Sequence, residues 1–194
     1  NILVDSAWAN ITWPDNIKEI LFLTNTSNKY FELYFNTSKV GKYNITIFSN
    51  DSSGNIGQSS EFSFSVYGFS NVSIINSGLN EHQVNTFVEL NCLVEDHNTS
   101  LVIENYPVSF YAAGQLIGIN YTNSLGIAQR NWNVTGIGEV EINCTINNES
   151  TLYYEVNYRN DNSSIFVLVS NVSLTALLHE NNVSYSLEEY ETYD

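Results

Sequence analysis

The sequence predicts an all-β protein, and three observations carry that prediction. Apolar and polar residues alternate over many short runs, turn residues separate these runs, and only two cysteines occur. The clearest runs contain the cysteines, with Cys92 in residues 87–95 and Cys144 in residues 140–146. Alternation with a period of two is typical of a half-buried β-strand, so both sulfurs are expected to point into one core. Two strands of facing sheets joined through the interior predict an immunoglobulin-like sandwich.

Length and composition predict one or two well-packed domains in the 194 residues. The chain is 43% hydrophobic and 13% aromatic, which argues against disorder. Its formal charge is −15, from 21 acidic and 6 basic residues, and a field of that sign repels nucleic acid and anionic lipid. The acids either attract divalent cations or a basic surface, or they only keep the molecule soluble.

Targeting and membrane-spanning segments are not predicted within this sequence. No run approaches the roughly 18–20 apolar residues of a membrane span, and no signal peptide opens the chain. Methionine is absent, and the first residue is Asn1. The chain is therefore expected to be a processed or excerpted segment whose targeting or anchoring elements lie outside it.

Acceptor sequons of the form N-x-[ST] are the strongest compositional signal. Two of them test the interpretation, because a glycan must face solvent. At Asn44 and at Asn143 the alternation places the flanking apolar residues on one face and the sequon on the other. The sequence thus predicts extensive N-glycosylation, with a merely polar surface as the alternative. There are fourteen sequons, at Asn10, Asn25, Asn36, Asn44, Asn50, Asn71, Asn98, Asn120, Asn133, Asn143, Asn148, Asn162, Asn171 and Asn182.

Glycosylation implies export to the cell surface or the extracellular space, where a Cys92–Cys144 disulfide is favoured. Closing a loop of about 50 residues disfavours the unfolded chain by about 4 kcal/mol in the chain-entropy model. Two buried free thiols are the alternative. A zinc site is not predicted, because His82, His97 and His179 lack the close spacing that zinc ligands need.

Residues 1–68 predict a first immunoglobulin-like domain that lacks its opening strands. The five predicted strands cover residues 11–13, 20–23, 30–35, 43–48 and 62–66. A closed sandwich of about 100 residues usually has about seven. Residues 50–55 are polar and contain Gly54, which predicts a turn; a cation-binding loop is the alternative.

Residues 69–169 predict a complete second domain with the disulfide. Strands are predicted at residues 69–73, 87–95, 101–103, 108–111, 116–121, 127–134 and 153–158, besides the Cys144 strand. Trp132 is expected to pack in the core beside the disulfide, and stacking on sugar is the alternative for this residue.

Residues 170–194 form a tail that predicts the opening strand of a further domain. Residues 170–173 repeat Ser-Asn-Val-Ser from residues 70–73, a spacing near the length of one sandwich. The first domain lacks opening strands, and the tail is predicted to be an opening strand. Either the segment is excised from a longer multidomain chain, or each tail completes the first domain of a neighbouring subunit and builds an open filament.

Several motifs resemble immunoglobulin-like repeats of archaeal and bacterial cell-surface proteins of the surface-layer, invasin and adhesin type. They are Pro107-Val108-Ser109-Phe110, Thr122 to Ala128 with Gly126, and Tyr43 to Ile47 followed by the turn at residues 50–55. The resemblance covers roughly residues 40–160 and implies an exported, glycosylated cell-surface or filament protein.

The leading functional hypothesis is a non-enzymatic structural protein of an extracellular filament, sheath or surface layer. The alternative is an adhesin that binds a protein or carbohydrate partner, with calcium held by Glu81, Glu95 and Asp96. An enzyme is not predicted, because no hydrolase, metalloprotease or P-loop motif occurs and the acidic pairs are only sequence neighbours. No catalytic residue, metal ligand or required cofactor is predicted.

Overall fold

The computed structural model describes residues 4–27, 30–75, 81–157, 162–170, 176–179 and 182–185. Every regular element in these ranges is a β-strand, which confirms the predicted all-β class. The strands are β1 (Val4–Thr12), β2 (Lys18–Phe22), β3 (Thr24–Ser27), β4 (Tyr30–Glu32), β5 (Gly41–Asp51), β6 (Ile56–Gln58), β7 (Phe62–Val66), β8 (Gly68–Ile74), β9 (Glu81–Gln83), β10 (Phe87–Asp96), β11 (Pro107–Ala112), β12 (Gln115–Tyr121), β13 (Ile127–Asn133), β14 (Gly138–Thr145), β15 (Tyr154–Val156), β16 (Asn162–Ser170), β17 (Ala176–His179) and β18 (Asn182–Tyr185).

The chain divides into two compact units. The first consists of residues 1–69 and 148–155, and the second of residues 70–147 and 156–194. Within the tail, β17 and β18 pair as an antiparallel hairpin. The second copy of the Ser-Asn-Val-Ser repeat continues from Ser170 into residues 171–173, which lie outside the described residues. Its assignment to a further domain stays a prediction.

The second unit is an immunoglobulin-like sandwich. One sheet contains the strands β13-β10-β8 in that order, and the other has the order β12-β11-β14-β16-β9. The strand β10 pairs antiparallel with β13 and β8, β11 with β12 and β14, and β14 with β16, whereas β16 and β9 run parallel. Cys92 of β10 and Cys144 of β14 are fully buried and joined by a disulfide, with 6.6 Å between their Cα atoms. The bridge therefore pins one sheet to the other, as alternation in both strands predicted.

The tryptophan prediction for this unit is half right. Trp132 is buried, so its place in the core is confirmed. It lies opposite Val88, however, whereas the residue opposite Cys92 is Ala128. Trp132 is thus four positions along the pair from the bridge, about 13 Å at the usual rise of a strand. The prediction that it lies beside the disulfide is wrong, because strand register rather than burial decides that neighbour.

The first unit is a sheet with a small hairpin. The sheet has the order β2-β1-β5-β6, and β7 pairs with the same edge of β5 as β6 does, further along the strand. The strands β3 and β4 form a separate hairpin. Its core contains Ala9, Ile11, Tyr43 and Ile45. The Tyr43 hydroxyl donates to the Lys39 carbonyl at 2.9 Å and accepts from the Lys39 amide at 3.1 Å. This is the tyrosine corner that immunoglobulin-like domains form at the start of one strand.

Strand boundaries in both units differ from the sequence predictions at several places. The strand predicted at residues 30–35 ends at Glu32, and the one predicted at residues 101–103 is a single bridge between Val102 and Glu95. Four strands were not predicted: β3, β6 and β9, which are three or four residues long and mostly exposed, and the nine-residue β16. Residues 52–55 form the turn between β5 and β6, as expected.

Candidate glycosylation surfaces and an open sheet edge

Two sequons of the first unit face each other across neighbouring strands. Asn10 of β1 lies opposite Thr46 of β5, and Thr12 lies opposite Asn44. The middle residue of each sequon, Ile11 or Ile45, is buried in the core. Both acceptor asparagines therefore occupy the outer face of the sheet, as alternation in the β5 run predicted for Asn44.

The second unit repeats this reciprocal register. Asn143 of β14 lies opposite Ser164 of β16, and Thr145 lies opposite Asn162. The middle residue of the first sequon is the disulfide cysteine Cys144, so Asn143 and Thr145 take the outer face. In each unit two acceptors are thus diagonal neighbours on an antiparallel pair, with a separation of about 7–8 Å.

The remaining sequons are distributed over loops and strand edges. Six acceptors are exposed: Asn25, Asn36, Asn98, Asn120, Asn133 and Asn148. Asn50 and Asn71 are half-buried, Asn182 is described by its backbone in β18, and Asn171 lies outside the described residues. Occupancy of all fourteen stays a prediction.

Four strand acceptors share an unusual polar feature. The side-chain oxygens of Asn10, Asn44, Asn71 and Asn143 are buried and have no hydrogen-bond partner. At Asn71 the amide nitrogen contacts His97 Nδ1 at 3.0 Å. An unsatisfied amide oxygen is costly, so residues chosen only for stability would rarely be asparagine here. The feature favours a role for the asparagine itself.

An aromatic row crosses the outer face of the first unit. It consists of Phe22 on β2, Trp8 on β1 and Phe48 on β5, which are paired in register. Trp8 stacks on Phe48 with 5.6 Å between ring centroids and 7° between planes, and Phe22 lies 6.5 Å from Trp8. This row was not predicted from the sequence, because the strand predicted at residues 11–13 begins after Trp8.

The edge strand β7 leaves part of the first core uncovered. Phe62 and Phe64 lie opposite Ile45 and Tyr43, so they share the core face. The Phe64 ring stacks on Tyr43 at 5.1 Å. Phe62 is nevertheless 50% exposed and Phe64 36% exposed. Among the described residues of this unit, β7 pairs with β5 alone.

The corresponding edge of the second unit is covered. The order β12-β11-β14-β16 repeats the order β2-β1-β5-β7, and β9 adds a further parallel strand beyond β16. Val167 and Val169 of β16 are fully buried there. Among the described residues, the first unit therefore has apolar side chains and a backbone edge of β7 without a partner strand, at the position where the second unit has β9.

The residues named for calcium are not brought together. The Asp96 carboxylate accepts hydrogen bonds from the Asn98 and Thr99 amides and from the Thr99 hydroxyl, each at 2.9 Å. Asp96 is thereby committed to its own turn. Among the described residues, no group of three or more His, Cys, Asp or Glu side chains is arranged to hold a metal ion. Calcium binding stays a prediction.

Two exposed carboxyl groups of the first unit have altered acidities. The hydrogen bond from the Lys39 ammonium lowers the pKa of Asp15, and an ion pair joins the two residues. The Asn55 side chain, which donates to Asp51 at 2.8 Å, lowers the pKa of Asp51. The Ser53 and Asn55 amides also donate to Asp51, which closes the turn. Both groups serve local structure.

The concave features of the molecule are shallow. One, lined by Glu89, Gln129, Arg130 and Asn131, lies on the face of a sheet and holds no pair of groups that act as nucleophile and base. Within the described ranges, no helix has the length and hydropathy that a membrane crossing requires.

No protein-family model matches the chain, and no curated protein matches it. Several solved structures are similar. The fibronectin(III)-like modules of CbhA from Clostridium thermocellum have 16% identity, with 92% of this chain and 86% of that chain covered and a TM-score of 0.40. The CARDB domain of the PF1109 protein from Pyrococcus furiosus, in complex with di-metal ions, has 26% identity over 53% and 94% of the chains and a TM-score of 0.42.

The amphioxus IgVJ-C2 molecule has 14% identity over 87% of this chain and 91% of that chain, with a TM-score of 0.45. With TM-scores this low, these similarities carry no argument about function. The immunoglobulin-like assignment is based on the strand order and the inter-sheet disulfide of the second unit.

Proposed function

We propose that the chain is a non-enzymatic, glycosylated structural protein of an extracellular filament, sheath or surface layer. In this proposal, the first unit of each chain is completed by strands that a neighbouring chain supplies. The observation that carries this proposal is the open edge at β7, where Phe62 and Phe64 of the core face are exposed. An exposed apolar edge strand is a pairing site that proteins usually cover.

The second unit supplies the template for the missing strands. Its sandwich also contains β8, β9 and β10, whereas in the described residues of the first unit the sheet consists of β2, β1, β5, β6 and β7, with β3 and β4 as a separate pair. The Ser-Asn-Val-Ser segment at residues 70–73 belongs to β8. Its repeat begins at Ser170, in the tail. The tail is therefore the donor that we assign to the first unit of a neighbouring chain.

Strand donation of this kind builds a polymer. The donating tail and the accepting edge are different surfaces, so the contact is heterologous and extends without closing. Main-chain hydrogen bonds to β7 supply affinity, and apolar side chains of the donor cover Phe62 and Phe64. Glycans on the outer faces then keep the polymer soluble and restrict its lateral packing.

Electron microscopy of the native material, combined with sedimentation of purified protein over a range of concentrations, tests the proposal. We expect fibres or sheets with a repeat of two sandwich domains, and association that increases with concentration. A chain that stays monomeric at high concentration contradicts strand donation. Isolated stalks on a larger protein contradict the polymer and favour adhesion.

A matched pair of variants locates the contact. Phe62→Lys places a charge at the open edge, and Phe22→Lys places the same charge on the outer face, where Phe22 is 71% exposed. We expect Phe62→Lys to abolish association and Phe22→Lys to leave it unchanged. Melting curves of both variants verify that the first unit is folded, so that loss of association is assigned to the edge.

A further inference from the structure

The aromatic row of Phe22, Trp8 and Phe48 is an apolar surface on the outer face of the first unit, half-buried at Trp8 and Phe48 and exposed at Phe22. Phe22 is 71% exposed, and Ile20, which precedes it on the same face of β2, is 60% exposed. Large apolar groups clustered on a solvent-facing sheet usually mark a surface that something covers. The question is which group in this molecule is placed to cover it.

Asn10 is the adjacent acceptor. It follows Trp8 by two positions in β1, so both side chains project from the same face, about 7 Å apart along the strand. Ile20 and Thr46 lie on either side of Asn10. The Asn10 side-chain oxygen is buried and has no hydrogen-bond partner.

Asn50 is the acceptor of the other sequon next to the row, and its side-chain oxygen accepts hydrogen bonds. It follows Phe48 by two positions in β5 and lies opposite Ser6. Its side-chain oxygen accepts from the Ser6 amide at 3.0 Å and from the Ser6 hydroxyl at 2.5 Å. These two bonds hold the Asn50 side chain on Ser6, whereas the Asn10 side-chain oxygen has no partner.

We propose that the innermost sugar of an N-glycan on Asn10 packs on Trp8 and its stacked neighbour Phe48. The inference rests on the glycosylation included in the proposed function. A pyranose ring carries an apolar face of C–H bonds, and an aromatic ring presents an electron-rich face of similar width. Their contact removes apolar surface of both from water. The sugar thereby stabilises the β2-β1-β5 sheet as well as shielding it.

Asn44 provides a matched control in the same sheet. Its neighbour two positions earlier on the same face is Lys42, and the residue opposite on β7 is Ser63. A glycan on Asn44 therefore has no aromatic ring at the place where the Asn10 glycan has Trp8. Asn10 and Asn44 are thus both in strand conformation, and they differ in whether an aromatic ring lies two positions earlier on the same face.

The test uses the full glycosylated chain in five variants: Asn10→Gln, Asn44→Gln, Trp8→Leu, and Trp8→Leu combined with either Asn10→Gln or Asn44→Gln. Glycopeptide mass spectrometry first establishes which acceptors carry sugar. We expect Asn10→Gln to lower the Tm of the first unit by roughly 2–8 °C when Trp8 is present, the range for an aromatic contact in a small domain. In the Trp8→Leu background the same change has no effect, and Asn44→Gln has the same effect in both backgrounds.

Proton NMR gives an independent readout. Ring-current shifts place the protons of the sugar on Asn10 upfield of those on Asn44, and Trp8→Leu removes that difference. A sugar on Asn10 with no such shift and no dependence on Trp8 overturns the inference and leaves the proposed function intact. Sugar on other acceptors with none on Asn10 does the same. Absence of sugar from every acceptor overturns both this inference and the glycosylation in the proposed function. If Phe22→Lys abolishes association while Asn10→Gln leaves the Tm unchanged, the aromatic row is instead covered by a second copy of the chain, and the inference is overturned.

Discussion

Asn10 and Thr46 lie directly opposite each other on β1 and β5. The acceptor asparagine of one sequon is thus paired in register with the hydroxyl residue of the other. The acceptors Asn10 and Asn44 are then diagonal neighbours about 7–8 Å apart. A sugar on one lies within reach of an enzyme that modifies the other. We expect Asn10→Gln to raise occupancy at Asn44, measured by glycopeptide mass spectrometry. Unchanged occupancy would mean that sugars are added before the strands pair.

The disulfide is expected to contribute a large part of the stability of the second unit. Cys92 and Cys144 are separated by 52 positions, and the chain-entropy model assigns about 4 kcal/mol to closing such a loop. The double variant Cys92→Ala with Cys144→Ala should therefore lower the free energy of unfolding by roughly 2–5 kcal/mol, measured by denaturant titration. A reductant should destabilise the native chain and leave the variant unchanged; equal sensitivity of both would contradict the assignment.

The tyrosine corner should stabilise the first unit through its hydroxyl. Tyr43→Phe removes both hydrogen bonds to Lys39 and leaves the Lys39 backbone groups without this partner. We expect a loss of roughly 1–2 kcal/mol in the free energy of unfolding. Tyr34 is 89% exposed, and Tyr34→Phe is the control, with a change within about 0.5 kcal/mol. Equal effects of the two substitutions would remove the corner as an explanation.

Gly126 is required by the turn that precedes β13. Its φ is +72°, and an added Cβ would lie 2.7 Å from the Val102 Cβ and 2.9 Å from the Val94 carbonyl oxygen. We expect Gly126→Ala to cost roughly 2–4 kcal/mol, from left-handed strain together with the clash. At Gly136, with a φ of +91°, the added Cβ meets nothing within 4 Å, so Gly136→Ala should cost only about 1–2 kcal/mol. Thermal unfolding that ranks the two in the opposite order would contradict the steric argument.

Acid should weaken the turn between β5 and β6. The Asn55 side chain holds the pKa of Asp51 below its ordinary value of 3.8. The folded state therefore binds the proton less readily than the unfolded state, and the contribution is present above about pH 4 and lost as pH falls through the folded pKa. The difference in Tm between the native chain and Asp51→Asn should shrink from pH 6 to pH 2.5. Asn55→Ala should reduce the pH dependence of the Tm relative to the native chain. A Tm difference between the native chain and Asp51→Asn that grows on acidification would contradict the lowered pKa of Asp51.

Alternation alone predicted the parts of this protein that lie deepest. Cys92, Cys144, Tyr43 and Ile45 were assigned to core faces from period-two patterns, and all four are buried. The pattern succeeds there because a residue buried on one face must be apolar while its neighbours face water. The same reasoning placed Asn44 and Asn143 on outer faces, and the structure agrees.

Short, polar or exposed strands were beyond sequence reasoning. The strands β3, β6 and β9 have no buried face, so their residues show no alternation, and pairing with a neighbour is what makes them strands. Trp132 shows the same limit inside the core. Burial followed from its sequence, whereas its position opposite Val88 depends on the register of β13 against β10.

The sequence by itself determined the all-β class, the cysteine pair and the outward placement of the sequons that alternation could test, because each is encoded by residue type and local spacing. Only the tertiary structure decided which sequons face each other, that Trp8 and Phe48 stack beside Asn10, and that β7 pairs with β5 alone within the part of the chain that the structure describes. These relationships join residues tens of positions apart. Strand pairing between distant segments sets them, and no local pattern carries that information.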